Sequence, residues 1–274
     1  MPPKKKSGDK KAANGEPVLG EDPLVFLREY QKFARLIGVK ANAQIVAALQ
    51  DEENFPVEQL VINDEQGPLG PGGTRALTTA LLGNGPEMRG GSYKLLKSLR
   101  MWRARCGDDG TACLAELLRL GGAAEVRLEY LELFDDEVGP KGALALGNAL
   151  SIGCNQSLLT LKLDYNPRLG SDGAAALCRG LRTNAMLRQL HLPYCGVGPE
   201  GGGALGEVLA YGRCHLTVLN LQGNRIGADG LARMAPGLAR NASLAFLSVA
   251  DNEIGGCEAD ATALETFRDA MVSC

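Results

Sequence analysis

A short apolar segment returns about every 29 residues through most of this chain, and that recurrence limits the possible folds more than any single residue does. The clearest copies run Leu187–Val197, Leu216–Ile226 and Leu244–Ile254, each following L-x-x-L-x-L-x-x-N/C-x-L with valine or isoleucine allowed at the apolar sites. Four earlier copies fall into the same frame: Leu158, Leu161, Leu163 and Asn166; Leu128, Leu131, Leu133 and Asp136; Leu96, Leu99, Met101 and Ala104; and Val57, Leu60, Ile62 and Glu65. The central leucines stand at 60, 99, 131, 161, 190, 219 and 247, giving steps of 39, 32, 30, 29, 29 and 28 residues. The long first step contains Gly83–Ser92, whose glycines and proline predict an inserted surface loop. A unit this small cannot bury its apolar face alone, so neighbouring units must stack into an extended array.

Each apolar segment is followed by a stretch with helical spacing. After Ile226 come Leu231, Met234 and Leu238, and the equivalents span Gly198–Leu209, Gly170–Leu181, Gly139–Leu150 and Gly107–Leu118. Small residues in these stretches (Ala174, Ala175, Ala176, Gly202, Gly203 and Ala204) predict close packing of adjacent helices.

Repeats of 28 or 29 residues carrying a full helix resemble the ribonuclease-inhibitor class of leucine-rich repeats over roughly residues 55–256. The resemblance implies an α/β solenoid, or horseshoe: three-residue strands form a parallel sheet on the concave side, and helices line the convex side. Strands sit about 4.8 Å apart and helix axes about 8–10 Å apart, so the array must curve. Asn166, Asn224 and Asn252 are expected to bond backbone groups of adjacent coils, and Cys195 takes the same slot. The expected organisation is a basic tail at 1–20, a helical N-terminal cap at 21–54, about seven repeats at 55–256 and a capping helix at 257–274. The tail has nothing to bury and is expected to be disordered. Asp22-Pro23 starts the first cap helix and Gly38 ends it, and a second helix is expected near Gln44–Leu49. Leu264, Phe267 and Met271 are expected to cover the last repeat.

Strand side chains alternate between faces, so the outward residues can be named. Val61, Arg100, Glu132, Lys162, His191, Asn220 and Ser248 lie between the central leucines. Arg100, Glu132 and Lys162 then form an alternating-charge ladder, an arrangement that stabilises cross-strand neighbours or merely avoids like-charge repulsion. Trp102 and Phe134 share the slot on one side of this row, and Tyr130 and Phe246 share the slot on the other. The chain has only 13 aromatic residues, so several on one outward face, with Arg100 and Arg103 beside them, mark a surface for binding another protein.

The rest of the sequence restricts the alternatives. Net charge is −3 even with Lys4, Lys5, Lys6, Lys10 and Lys11 in the tail, which would attract acidic partners if it binds anything. No apolar run suits a membrane span, and no signal-peptide core is visible, so an intracellular chain with reduced cysteines is expected. The eight cysteines form no C-x-x-C pair, which argues against structural zinc. Two histidines, His191 and His215, give no nucleophilic triad, and no glycine cluster continues into G-K-[S/T]. No enzymatic activity, cofactor, metal, nucleic acid or membrane partner is expected. Asn155 and Asn241 match glycosylation acceptors formally, but their position before strands reads as turn chemistry.

The order of a Pro2-Pro3-Lys4-Lys5-Lys6 opening, a short helical cap containing Tyr30 and the Gly38-Val39 turn, then inhibitor-type repeats, resembles leucine-rich-repeat subunits of ciliary and flagellar axonemes. That resemblance implies a structural adaptor in a microtubule-bound assembly (radial spoke, central apparatus or dynein regulatory complex), with the tail lysines reaching acidic tubulin tails. A regulator of a small GTPase, or an inhibitor of another enzyme acting through the repeat surface, is the alternative.

Overall fold

The computed structural model describes residues 20–83, 93–255 and 259–273. The basic tail with its five lysines, the inserted loop beyond Gly83, Cys257 and Cys274 lie outside them.

Seven parallel strands pair strictly in chain order to form one open sheet. They are β1 (Gln59–Asn63), β2 (Ser98–Trp102), β3 (Tyr130–Phe134), β4 (Thr160–Lys162), β5 (Gln189–His191), β6 (Val218–Asn220) and β7 (Phe246–Ser248). Helices return the chain from each strand to the next: α3 (Gly70–Leu82), α4 (Gly107–Ala124), α5 (Pro140–Leu150), α6 (Gly170–Leu181), α7 (Pro199–Leu209) and α8 (Gly227–Leu238), with α9 (Ala259–Ser273) after β7. Leu60, Leu99, Leu131, Leu161, Leu190, Leu219 and Leu247 are aligned across the whole sheet. All but Leu247 are fully buried between sheet and helices, where they form one continuous core. The first three strands are five residues long rather than three, which lets Trp102 pair with Phe134 inside the ladder.

Asparagine secures the turn after β4, β6 and β7. The Asn166 amide donates to the Leu133 and Leu163 carbonyls, while its Oδ1 accepts from the Asp136 and Val138 amides of the preceding coil. Asn224 repeats the pattern with Leu192, Leu221, Cys195 and Val197. Asn252 joins Leu221, Ala250 and Ile226, and the Cys195 thiol donates to Leu163 O. Each side chain satisfies polar backbone that a tight, buried bend would leave without water. A second asparagine series lies before the strands. Asn155, Asn184 and Asn241 donate to Leu118 O, Leu150 O and Leu209 O in the helices one coil back (α4, α5 and α7), and accept from amides two and three residues on. The amides of both formal glycosylation acceptors are therefore buried and engaged.

On the helical side, two pairs come into backbone contact. A methyl group placed on Gly180 of α6 would stand 1.7 Å from Gly147 O of α5, and one on Gly237 of α8 would stand 1.9 Å from Gly206 O of α7. Between α6 and α7 the closest such approach is 3.3 Å, from Gly201 to the Ala174 methyl. The small residues that matter most are therefore Gly147, Gly180, Gly206 and Gly237; Ala175 and Ala204 line a surface groove that runs over α6, α7 and α8.

At the N-terminal end, α1 (Pro23–Ile37) starts at Asp22, whose carboxylate accepts from Leu24 N at 2.8 Å, and stops at Gly38 with φ 81°. The following α2 (Ala43–Gln50) locks onto both neighbours. The Tyr30 hydroxyl accepts from Asn42 N at 2.9 Å, and the Gln44 side chain bonds both the backbone and the side chain of Asn63 in β1. At the other end, Leu264 and Phe267 of α9 pack half-buried against the core and Ala270 is buried, whereas Met271 is 47% exposed. By spacing Met271 shares the helix face of Leu264 and Phe267, but it lies in the last turn of α9. Among the described residues no helix is long and apolar enough to cross a membrane. The six described cysteines are free thiols, three buried and three half-buried.

Candidate functional site

The sheet register fixes what its free face displays. Val61, Arg100, Glu132, Lys162, His191, Asn220 and Ser248 stand opposite one another in a single row from β1 to β7. The aligned leucines on either side of this row point into the core, so these seven side chains point away from it.

In β2–β5 the row is a connected polar cluster. Arg100 Nε lies 3.8 Å from Glu132 Oε2, and the Tyr130 hydroxyl donates to that same oxygen at 2.7 Å. The Arg100 guanidinium sits over the Tyr130 ring at 4.9 Å from its centroid, and the Lys162 ammonium approaches at 5.8 Å. Both lie within cation–π range. The expected charge ladder is thus half realised: Arg100 meets Glu132, while Lys162 leans on a ring. Burial, the bond to Glu132 and that residue's charge raise the Tyr130 hydroxyl well above the ordinary tyrosine range. Burial and then the Lys162 charge hold His191 below its ordinary range, so it is a neutral imidazole at pH 7. Burial, with help from Glu132, pushes the Asp164 carboxyl up to about 6 although Lys162 pulls it down. Arg100 Nε, Asp164 Oδ1, His191 Nε2 and Ser98 Oγ are shielded from water and have no hydrogen-bond partner among the described residues. Arg100 Nε does stand at ion-pair distance from Glu132, so its deficit is one of direction rather than proximity. Four such atoms on one wall are unusual, because buried polar groups nearly always find partners.

Aromatic rings border this cluster. Trp102 and Phe134 pair across β2 and β3. Beyond them the Phe134 and Tyr165 rings lie 5.0 Å apart and tilted, and the Tyr165 and Tyr194 rings lie 4.6 Å apart and stacked. Tyr165 is 44% exposed and Tyr194 and Trp102 are each 36% exposed. The ladder ends at Gly223, where a Cβ would fall 2.2 Å from the Tyr194 ring. Sequence alternation named Trp102 and Phe134 but missed Tyr165 and Tyr194. Both tyrosines have left-handed backbone, φ 59° and 55°, as do Arg103, Asp135, Gly223 and Asp251 at the same point of their coils. The amide of each of the first five donates to a carbonyl of the next coil: Arg103 to Phe134, Asp135 to Asp164, Tyr165 to Pro193, Tyr194 to Gln222 and Gly223 to Ala250. The detectable signal was this recurring slot, one residue past the outward slot and rich in aspartate and glycine.

Tyr130 and Phe246 do share one register row, but Thr160, Gln189 and Val218 separate them. Phe246 stands exposed on the last strand, away from the other rings. Among the described residues, no group of three or more histidine, cysteine, aspartate or glutamate side chains is placed to hold a metal.

The comparisons with known proteins agree with the coil geometry. The Leucine Rich repeat family pattern matches residues 154–178, 183–206 and 213–235, and each match takes in one strand of the sheet and most of its helix. The chain is a leucine-rich-repeat protein of ribonuclease-inhibitor-like build. It is 28% identical over 171 residues to the ribonuclease inhibitor of Mus musculus, covering 52% of this chain and 36% of that one. It is 31% identical over 188 residues to NACHT, LRR and PYD domains-containing protein 5 of Homo sapiens, covering 67% of this chain and 14% of that one. A Tonsoku-like protein of Bos taurus is 34% identical over 145 residues, covering 51% of this chain and 10% of that one. The chain therefore spans between about a tenth and about a third of these relatives. Among solved structures, the actin-binding site 2 region of leiomodin-1 aligns with a TM-score of 0.44 at 17% identity, over 60% of this chain and 87% of that one.

Proposed function

We propose that this leucine-rich-repeat protein is a non-catalytic scaffold that docks a partner protein on the free face of its sheet, centred on β2–β5. Proteins of this repeat class generally serve as protein-interaction modules. The observation that carries the reading for this chain is the coincidence, on one wall, of exposed rings with polar atoms that lack partners. Rings and arginine anchor protein interfaces, and a partner could satisfy the orphaned atoms. The test is affinity capture with the full chain against a Trp102→Ala/Phe134→Ala variant, alongside a Glu116→Gln control on exposed α4. Loss of partners from the first variant alone, with an unchanged melting temperature, is the expected result. Equal capture by all three proteins, or a collapse of stability, would refute it.

The narrower placement in a ciliary or flagellar axoneme, as a cytoskeletal adaptor with tail lysines on acidic tubulin tails, rests on the order of sequence segments. The relatives named above lend it no support. Recovery of microtubule-bound assemblies from ciliated cells, and not from cells without cilia, is what this placement requires. A second reading, inhibition or regulation of an enzyme through the same wall, is favoured by the similarity to mouse ribonuclease inhibitor. Turnover of candidate ribonucleases and GTPases with and without the protein separates the two.

A further inference from the structure

The carboxylates of this wall are not equally engaged. Glu132 has Arg100 and Tyr130, Asp64 has Arg103 at 3.1 Å, and Glu137 has Arg105 at 3.9 Å. Asp164 and Asp135, on adjacent coils, have no cation in ion-pairing range among the described residues. Lys162, at the end of β4 and two residues before Asp164, is turned toward Tyr130 instead. The rings of Phe134, Tyr165 and Tyr194 run along this same edge. Asp164 itself occupies the slot that holds Phe134 in one neighbouring coil and Pro193 in the other. It is thus a carboxylate set between apolar side chains, with one oxygen shielded from water and unsatisfied.

Resting on the scaffold reading above, we infer that Asp164 and Asp135, with the Phe134–Tyr165–Tyr194 ring ladder, form a docking site for an arginine side chain on an extended segment of the partner. Charge complementarity selects a cation. The rings select a flat one: a guanidinium lies face to face on an aromatic ring while its N–H groups fork toward a carboxylate, whereas an ammonium is compact and strongly hydrated. The docked arginine would supply the hydrogen-bond donor that Asp164 Oδ1 lacks.

The probe is a short fluorescein-labelled peptide of alternating glycine and arginine, titrated with the full chain at physiological salt and followed by anisotropy. Matching peptides carry citrulline, lysine or glutamate in place of arginine. Saturable binding of the arginine peptide is expected, with the lysine peptide weaker and the citrulline and glutamate peptides lost. Asp135→Asn/Asp164→Asn should weaken arginine-peptide binding by about tenfold or more, as removing the partner of a desolvated charge does. Tyr165→Ala should weaken it as well, and Glu116→Gln should leave it unchanged. Thermal melting of each variant separates a lost site from a lost fold; removing a half-buried carboxylate at Asp164 does not unfold the chain on this reasoning. Citrulline binding equal to arginine, preference for the glutamate peptide, equal weakening by Glu116→Gln, or no binding at all would each overturn the inference. If the arginine peptide fails while Trp102→Ala/Phe134→Ala still abolishes partner capture, the inference falls and the scaffold reading stands.

Discussion

Replacing Asp136 by asparagine is expected to stabilise this protein, by an amount that grows with pH. Asp136 occupies the post-strand slot filled by Asn166, Asn224 and Asn252 elsewhere, and is fully buried. Burial pushes its carboxyl up to about 7 from the ordinary 3.8, although the amides of Ala104, Arg105 and Cys106 face it and restrain the rise. Those amides fall short of good hydrogen-bond geometry, because neither carboxylate oxygen has a partner. A carboxylate also cannot donate to a carbonyl as the Asn166 amide does to Leu133 O at 2.8 Å. The folded state therefore holds a proton that the unfolded chain releases from about pH 4 upward. Stability is full below that pH, falls as pH rises, and levels off once pH passes about 7. The shift of about 3 units, at roughly 1.4 kcal/mol per unit, sets a ceiling of about 4 kcal/mol for the loss. Asparagine has no proton to lose and can both donate and accept. Urea unfolding of both proteins across this pH range should show Asp136→Asn drawing ahead from near parity at about pH 4 to a lead of roughly 2–4 kcal/mol at about pH 8. At about 3 kcal/mol, the melting temperature would differ by roughly 6–12 °C. Asp164, pushed up to about 6, titrates in both proteins and cancels in the difference. A difference that stays constant across the range, or a variant less stable at high pH, would refute the reasoning.

Four further expectations follow from the packing. Gly180→Ala should destabilise by more than about 3 kcal/mol, because its methyl group meets the Gly147 backbone and backbone cannot swing away. Gly122→Ala in α4, with nothing within 4 Å of its Cβ, should be neutral or stabilising by up to about 1 kcal/mol, and unfolding curves of the two make the comparison. Gly223→Ala combines a positive φ of 70° with a clash against the Tyr194 ring, so Tyr194→Ala should restore part of its loss; a double-mutant cycle without coupling contradicts that geometry. Asn184→Ala leaves Leu150 O and the Met186 and Leu187 amides without their partner and should cost about 2–3 kcal/mol by denaturant melting.

The coil architecture was legible because its physics is periodic. Aligned leucines predict the sheet register residue by residue, and the period-two rule then places Arg100, Glu132, Lys162 and His191 side by side. That rule holds only while the backbone is extended. At Tyr165 and Tyr194 the chain turns left-handed and brings the rings back alongside Phe134, so counting along the strand could not place them. Phe246 illustrates the opposite error: a shared row says nothing of how many strands intervene. The small residues of the helices were visible as a class. Which of them meet backbone to backbone depends on the tilt of one helix against the next, and no spacing within a single repeat encodes that. Sequence also placed Asp136 in the asparagine slot, but its proton depends on being sealed from water.

The glycine contacts give the array a grain. With α5 seated on α6 and α7 on α8 backbone to backbone, and α6 meeting α7 most closely through a side chain at the glycine positions, the coils cohere as couples rather than as equal links. Strain from pulling, heating or a partner's leverage would concentrate at seams of the second kind. The array would flex at such seams before it flexes within a couple, changing its arc unevenly along its length.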